Sequence, residues 1–101
     1  MPERWTIEHF EPQQATRFQW HAAALGVRPL ELIEVKRLRV NRVGGSPAER
    51  EPFSLIFRDH SANALPQSTY RLDHDQLGTM EIFLVPIGLD EQGMRYQAVF
   101  T

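Results

Sequence analysis

The second half of the chain carries three long apolar runs that follow one another closely, at residues 53–57, 80–85 and 94–100. In the first and last of these runs, every second residue is apolar, as in a strand that turns one face towards a core. The connections at residues 74–78 and 88–93 are short and contain turn-forming glycine. Parallel strands need crossovers of about a dozen residues or more, whereas connections this short join antiparallel neighbours. The second half therefore predicts an antiparallel sheet.

The length of 101 residues fits one domain, residues 1–101, because a chain of this size buries about 60–70% of its unfolded surface. Hydrophobic residues make up 42% of the chain and charged residues 24%, which is ordinary for a globular protein. No window approaches the roughly 18 consecutive apolar residues of a membrane helix, and the N-terminus lacks the pattern of a secretory signal. We expect a soluble cytoplasmic domain that does not engage a membrane.

The N-terminal residues combine a helical signal with a strand signal. Residues 5–10 predict one or two helical turns, with Thr6 as the capping residue and Pro12 as the point where the helix stops. Apolar and polar residues then alternate over residues 16–22, which predicts a first strand.

In the run at residues 30–40, the apolar residues first occupy even-numbered positions, shift to odd-numbered ones near residues 32–33, and return to even-numbered ones near residues 36–37. A flat strand cannot keep such a set on one face, so the pattern favours a long bent strand with a bulge at the first change and another irregularity at the second. A helix with its apolar residues on one stripe is the alternative. Just before this run, Gly26 and Pro29 favour a loop over a helical turn.

The remaining segments complete the fold prediction. Residues 41–51 are rich in glycine and charge and predict an exposed loop, and residues 69–74 alternate as a further strand. The run at residues 80–85 is apolar on both faces, which predicts a central strand whose regular pairing ends at Pro86. The fold class expected is all-β, a small antiparallel barrel or rolled sheet of about six strands with a short N-terminal helical turn.

Four segments of the second half, residues 51–58, 65–74, 77–88 and 94–100, resemble the bacterial DUF6916 family of unknown function. The similarity is tight over about the last 50 residues and looser before Pro52. Because the family has no established activity, the resemblance implies none for this chain. It does imply a context, since the chain is similar to proteins encoded beside phage-tail-collar-like proteins in some bacteria.

The sequence contains few motifs that are typical of catalytic or metal-binding sites. With no cysteine, the chain has no disulfide, thiolate metal site or cysteine nucleophile. The four histidines are not joined by metal-binding spacings, and only His60 and His74 have adjacent carboxylates. A serine could be drawn with His74 and Asp73 as a hydrolytic triad, but no nucleophile-presenting motif supports it. We predict no catalytic residues, no metal and no cofactor.

Charge argues against nucleic acid as a partner. The net charge is −2, and the one basic run, at residues 36–42, is split across the two faces of a strand and accompanied by glutamates. We expect neither nucleic acid nor a small-molecule ligand to be the partner. Gly44 and Gly45 lack the lysine of a phosphate-binding loop and predict a plain flexible connection.

Ile56 and Phe83 are the apolar residues that point away from the inward set of their strands. We expect Phe83 to be buried beneath the run at residues 30–40 or the N-terminal turn. If that outer face is uncovered, Ile56 and Phe83 form an apolar interaction surface. Two hypotheses follow: a non-catalytic interaction or accessory module, tied to a phage-tail-like or surface assembly and meeting a protein partner or a second copy, and alternatively a small ligand-binding barrel or enzyme that uses His60, His74 and nearby carboxylates.

Overall fold

In the computed structural model, residues 5–38, 52–61 and 64–100 are described, and their strands close into an antiparallel barrel in the order β1-β2-β3-β6-β5-β4. The all-β prediction is confirmed, and of its two versions the closed barrel is the one observed. The elements are helix α1 (Ile7–Phe10), a 3-10 turn (Glu11–Gln13), β1 (Arg17–His21), a second 3-10 turn (Ala23–Leu25), β2 (Val27–Arg37), β3 (Phe53–Asp59), β4 (Ser68–His74), β5 (Gly78–Asp90) and β6 (Gly93–Phe100).

Helix α1 covers one end of the barrel. The backbone N–H of Thr6 donates to Nδ1 of His9 at 2.9 Å, which fixes the first turn. At the other end of the helix, the fully buried ring of Phe10 packs against Phe53 and Phe100, with ring centroids 5.9 and 5.6 Å away. The predicted helical turn is therefore confirmed. The prediction for Pro12 is wrong in detail, because the chain continues through it as a 3-10 turn, where a missing backbone N–H near the first position is tolerated.

The connection between β1 and β2 is tighter than the predicted loop. It is a 3-10 turn, and it closes when the N–H of Ala22 donates to the carbonyl of Gly26 at 2.8 Å. Gly26 adopts φ +78°, a conformation that glycine takes without strain. Strand β2 consequently begins at Val27, and Pro29 lies inside it opposite Gln19.

The bend in β2 lies where the parity of its apolar residues first changes. Leu32 pairs with Phe57 and Glu34 with Ile56, so Ile33 is the extra residue of a bulge. The bulge prediction is confirmed. The second irregularity, near residues 36–37, is wrong: pairing runs unbroken to Arg37, where the strand ends. Part of the predicted run, residues 39–40, and the predicted loop at residues 41–51 lie outside the described residues.

The barrel interior is filled by side chains from all six strands. The largest fully buried ones are Trp20, Tyr96, Phe10, Phe18, Phe53, Phe57, Leu30, Leu32, Leu55, Leu72 and Leu84. Trp20 packs edge-on against Tyr70 and Tyr96, with ring centroids 5.3 and 5.0 Å away. Both tyrosine hydroxyls are satisfied: that of Tyr70 donates to the carbonyl of Pro66 at 2.6 Å, and that of Tyr96 accepts from the N–H of Leu65 at 2.9 Å.

Strand β5 is longer than the sequence suggests. Its pairing with β6 shifts between Pro86 and Gly88, so Pro86 interrupts the regular ladder as predicted. The strand nevertheless resumes at Gly88 and runs to Asp90. No helix in the described ranges is long and apolar enough to cross a membrane.

Candidate functional site

The outer face of β5 and β6 exposes large apolar side chains. Phe83 is 51% exposed and Val99 53%. The pairing of β5 with β6 begins at Val85–Gln97, and Phe83 and Val99 lie two residues beyond this pair, each on the outer side of its strand. Ile87 and Leu89 are exposed further along β5. The expectation that Phe83 is buried is therefore wrong, because neither β2 nor the N-terminal turn lies over it. We call Phe83 and Val99, with the partly exposed Val85 between their strands, the β5–β6 outer face.

Ile56, the second residue of the predicted surface, lies apart from this exposed face. It occupies the outer side of β3 but is only 9% exposed. Its partners in register are Glu34 and Gln97, whose long side chains flank it on both sides. Ile56 and Phe83 thus share the outer surface of the barrel, but only Phe83 is available to a partner.

His74 ends β4 in a hydrogen-bond network. Its Nδ1 accepts from the backbone N–H groups of Gln76 and Leu77, at 3.1 and 3.3 Å, so the ring proton is on Nε2. Nε2 donates to Oγ1 of Thr16 at 3.0 Å, and Thr16 in turn donates to the carbonyl of Gln13 at 2.6 Å. Burial lowers the pKa of His74, with Asp75 opposing the shift. The neutral imidazole acts here as a tie between β4 and the segment that precedes β1.

Asp73 is the centre of a second network on the outer side of β4. Its carboxylate lies 2.8 Å from Nε2 of His21 and accepts from Oγ1 of Thr79 at 2.8 Å and from Nε of Arg71 at 3.2 Å. The hydrogen bond with His21, followed by that from Thr79, lowers the pKa of Asp73 to about 2. Asp73 is thus ionised at neutral pH and joins β4 to β1.

His60 belongs to a different cluster from His74. Its Nε2 lies 3.4 Å from Glu31 and its Nδ1 lies 3.1 Å from the carbonyl of Gln92. The neighbouring Asp59 is buried and accepts from Arg28 at 3.0 Å. Within the described part of the chain, the two histidines have no partner in common, so the alternative site built on both of them is not assembled.

The structure also shows the surroundings of three other features considered from sequence: the basic run, the candidate serine and a metal site. Arg37 lies 3.6 Å from Glu8 and 3.9 Å from Glu11, so its charge is balanced by the N-terminal segment. The hydroxyl that contacts His74 is that of Thr16, whereas Ser54 is buried on β3. Among the described residues, no three histidine, aspartate or glutamate side chains converge as they would around a metal ion.

A groove of about 480 Å³ runs over the outer side of β1. It is lined by Arg17, Phe18 and Gln19 of β1, by Val27, Arg28 and Pro29 of β2, and by Asp73, His74 and Asp75 at the end of β4. On its β4 side, β1 and β4 pair only at Gln19–Asp73 and Trp20–Leu72. We call it the β1 groove. In the order of the barrel, β1 and β2 lie across from β6 and β5, so the groove and the β5–β6 outer face are on opposite sides.

The family model of DUF6916, a domain of unknown function, matches residues 5–100. The chain belongs to the DUF6916 family. The match extends over the N-terminal half as well as the second half, so helix α1 and the closing strand β1 are both part of the DUF6916 domain. No curated protein matched the chain. No solved structure matched it either.

The polar contacts that tie β1 to β4 in this DUF6916 domain were missed by sequence reasoning. His21 and Asp73 are separated by 52 positions, and Thr16 and His74 by 58. No motif links residues so far apart, and only the pairing of β1 with β4 brings them together. The one available signal was the pair of carboxylates flanking His74.

Proposed function

We propose that this chain is a non-catalytic protein-interaction module, an accessory to a larger assembly of the phage-tail-like or surface type. The observation that carries the proposal is the β5–β6 outer face. Phe83 and Val99 are each about half exposed there, within strands β5 and β6. Exposed apolar side chains that lie near one another on a small domain favour a surface that a partner covers.

The filled interior supports the same proposal. The inward positions of the barrel hold aromatic and leucine side chains that are fully buried, so they leave the interior to packing instead of to a ligand. The histidines of the alternative hypothesis are engaged in separate structural contacts. The expectations of a cytoplasmic location and of a protein partner or second copy stay predictions within this proposal.

Binding through the β5–β6 outer face can be tested with one charged substitution and a matched control. Phe83→Asp places a carboxylate at the centre of the face. Leu25→Asp makes the same change at another exposed apolar residue, 48% exposed, in the turn between β1 and β2 across the barrel. The wild type and both variants are co-expressed with the products of the adjacent genes, captured by affinity and analysed by sedimentation for self-association.

We expect the wild type and Leu25→Asp to form the same complex and Phe83→Asp to lose it, because a buried apolar contact at an interface centre contributes most of the binding. A partner or self-associated state that survives Phe83→Asp unchanged would contradict the use of this face. A wild-type chain that stays monomeric and captures none of the adjacent gene products would contradict the function itself.

A further inference from the structure

The β1 groove is lined by two opposite charges, Arg17 and Asp75, that form no ion pair with any described residue. Arg17 is exposed, and in the described ranges it makes no hydrogen bond or ion pair with another side chain. Its register partner on β2 is Glu31, but the Glu31 carboxylate lies 3.4 Å from His60. The Arg17 guanidinium is therefore available to a ligand carboxylate, which it can bind through two parallel hydrogen bonds.

Asp75 supplies the negative charge on the other side of the groove. Its neighbour Asp73 is committed to His21, Thr79 and Arg71, whereas Asp75 is exposed and, among the described side chains, forms no hydrogen bond. Continuing the pairing of Gln19 with Asp73 by two residues would bring Asp75 opposite Arg17, but β1 and β4 are unpaired there. Arg17 and Asp75 thus both line the groove without forming an ion pair with each other.

On the β2 side, the groove is lined by apolar residues. Val27 is 59% exposed and Pro29 is exposed beside it, both on β2. The side-chain amide of Gln19, which is also exposed, lies between this wall and the acidic side. A volume of about 480 Å³ lies within the range of sites that hold small molecules.

We propose that the β1 groove binds a small zwitterion of the amino-acid class with an aliphatic side chain. The carboxylate pairs with Arg17, the ammonium group pairs with Asp75, and the aliphatic side chain lies against Val27 and Pro29. A simple anion would leave Asp75 facing it, and a simple cation would leave Arg17 facing it, so the opposite charges select a ligand that carries both. This site is independent of the proposed interaction function, because it lies across the barrel from the β5–β6 outer face.

The test compares three compounds that differ in one charge each: L-leucine, N-acetyl-L-leucine, which lacks the ammonium group, and L-leucinamide, which lacks the carboxylate. Binding is followed by amide chemical shifts of the full chain in NMR titrations. We expect L-leucine to shift the amides of β1 and the turn after β4, and each analogue to bind at least about tenfold more weakly, as the loss of one charge-assisted contact predicts.

Two variants test which residue contacts the carboxylate and which contacts the ammonium group. In Arg17→Gln, leucine should bind no better than leucinamide does, and in Asp75→Asn it should bind no better than N-acetyl-leucine does. Lys36→Gln and Glu91→Gln remove the same charges at exposed residues outside the groove and should leave leucine binding unchanged. Phe83→Asp should also bind leucine normally, which separates this result from the test of the interaction function.

Several results would overturn the proposal. One is the absence of any shift in the groove amides at about 10 mM leucine, a concentration that detects even millimolar affinity. Another is equal binding of leucine and either analogue by the wild type, since that would show a site for a single charge. A third is unchanged discrimination among the three compounds in Arg17→Gln or Asp75→Asn.

Discussion

Strands β3 and β5 both carry apolar runs with a single polar residue, Ser54 or Glu81, yet their outer faces differ in exposure. On β3, every residue from Phe53 to Phe57 is buried, on both faces. On β5, buried and exposed residues alternate from Met80 to Leu84, with Phe83 among the exposed ones. Two similar stretches of sequence thus give one strand whose outer face is buried and one whose outer face is exposed.

The neighbouring strands account for this difference. The outward residue Ile56 has Glu34 and Gln97, both with long side chains, as its register partners. Phe83 pairs with Thr69, whose side chain is short, and lies two residues beyond the first β5–β6 pair, Val85–Gln97. We infer that the long register partners shield Ile56 and that the short one leaves Phe83 exposed.

The inner faces of the two strands should respond alike and give the largest effects. Phe57→Ala in β3 and Leu84→Ala in β5 each remove a fully buried side chain. We expect losses of about 3–5 and about 2–5 kcal/mol in the free energy of unfolding, because each change leaves a cavity in a packed core. Chemical denaturation of the two variants measures these losses. A cost below about 1 kcal/mol for either variant would show that its inner face is not part of the core.

The outer faces should respond differently, and Ile56 tests β3. Ile56→Ala should destabilise the fold by about 2 kcal/mol, the low end of the range for a buried isoleucine, because its neighbours lie on the surface and can partly fill the gap. Val99→Ala is the control, since Val99 is also an outward β-branched residue but is 53% exposed. Equal melting temperatures for the two variants would contradict the covering of β3.

The inward positions could be read from sequence because they depend only on local periodicity. Alternation within residues 53–57 and 69–74 identified the inward side chains of β3 and β4, and the parity change in residues 30–40 located the bulge at Ile33. Each of these signals lies within a few consecutive residues.

The outer face and the closing contacts could not be read in the same way. The exposure of Phe83 depends on Thr69 and on strand order, neither of which is visible within β5. The ties of Thr16 to His74 and of His21 to Asp73 depend on β1 returning to β4, which closes the barrel. Such features follow from which strands become neighbours, and local patterns leave that choice open.

A smaller effect on stability, seen at acid pH, should come from an ion pair that joins β3 to β5. Arg58 of β3 forms an ion pair with Asp90 of β5, and this hydrogen bond, followed by the one from the backbone of Gln92, lowers the pKa of Asp90 below its ordinary value of 3.8. Since the folded-state pKa is depressed, the stabilisation is complete above pH 3.8 and is lost as the pH falls through the folded-state value.

Arg58→Gln removes the first cause of this shift. We expect NMR titration to show the pKa of Asp90 rising towards its ordinary value, and the melting temperature of the variant to fall less than that of the wild type between about pH 5 and about pH 2. Glu91→Gln removes a neighbouring exposed charge and should keep the wild-type titration of Asp90. An Asp90 pKa that is the same with and without Arg58 would show that the ion pair does not link the two strands in solution.

The smallest change in stability should come from Phe83→Ala. Because Phe83 is 51% exposed, its truncation leaves no enclosed cavity, and we expect a shift of no more than about 0.5 kcal/mol in the free energy of unfolding. If the β5–β6 outer face binds a partner or a second copy, the same variant should associate more weakly, because truncating an aromatic residue at an interface centre costs binding energy. Thermal melts combined with sedimentation of wild type and Phe83→Ala measure both quantities.

A loss of about 3 kcal/mol or more would place Phe83 in a core, as the sequence pattern suggested, and would remove the contrast between β3 and β5. A variant unchanged in both stability and association would leave Phe83 as an exposed residue without a partner and would contradict the proposed interaction surface.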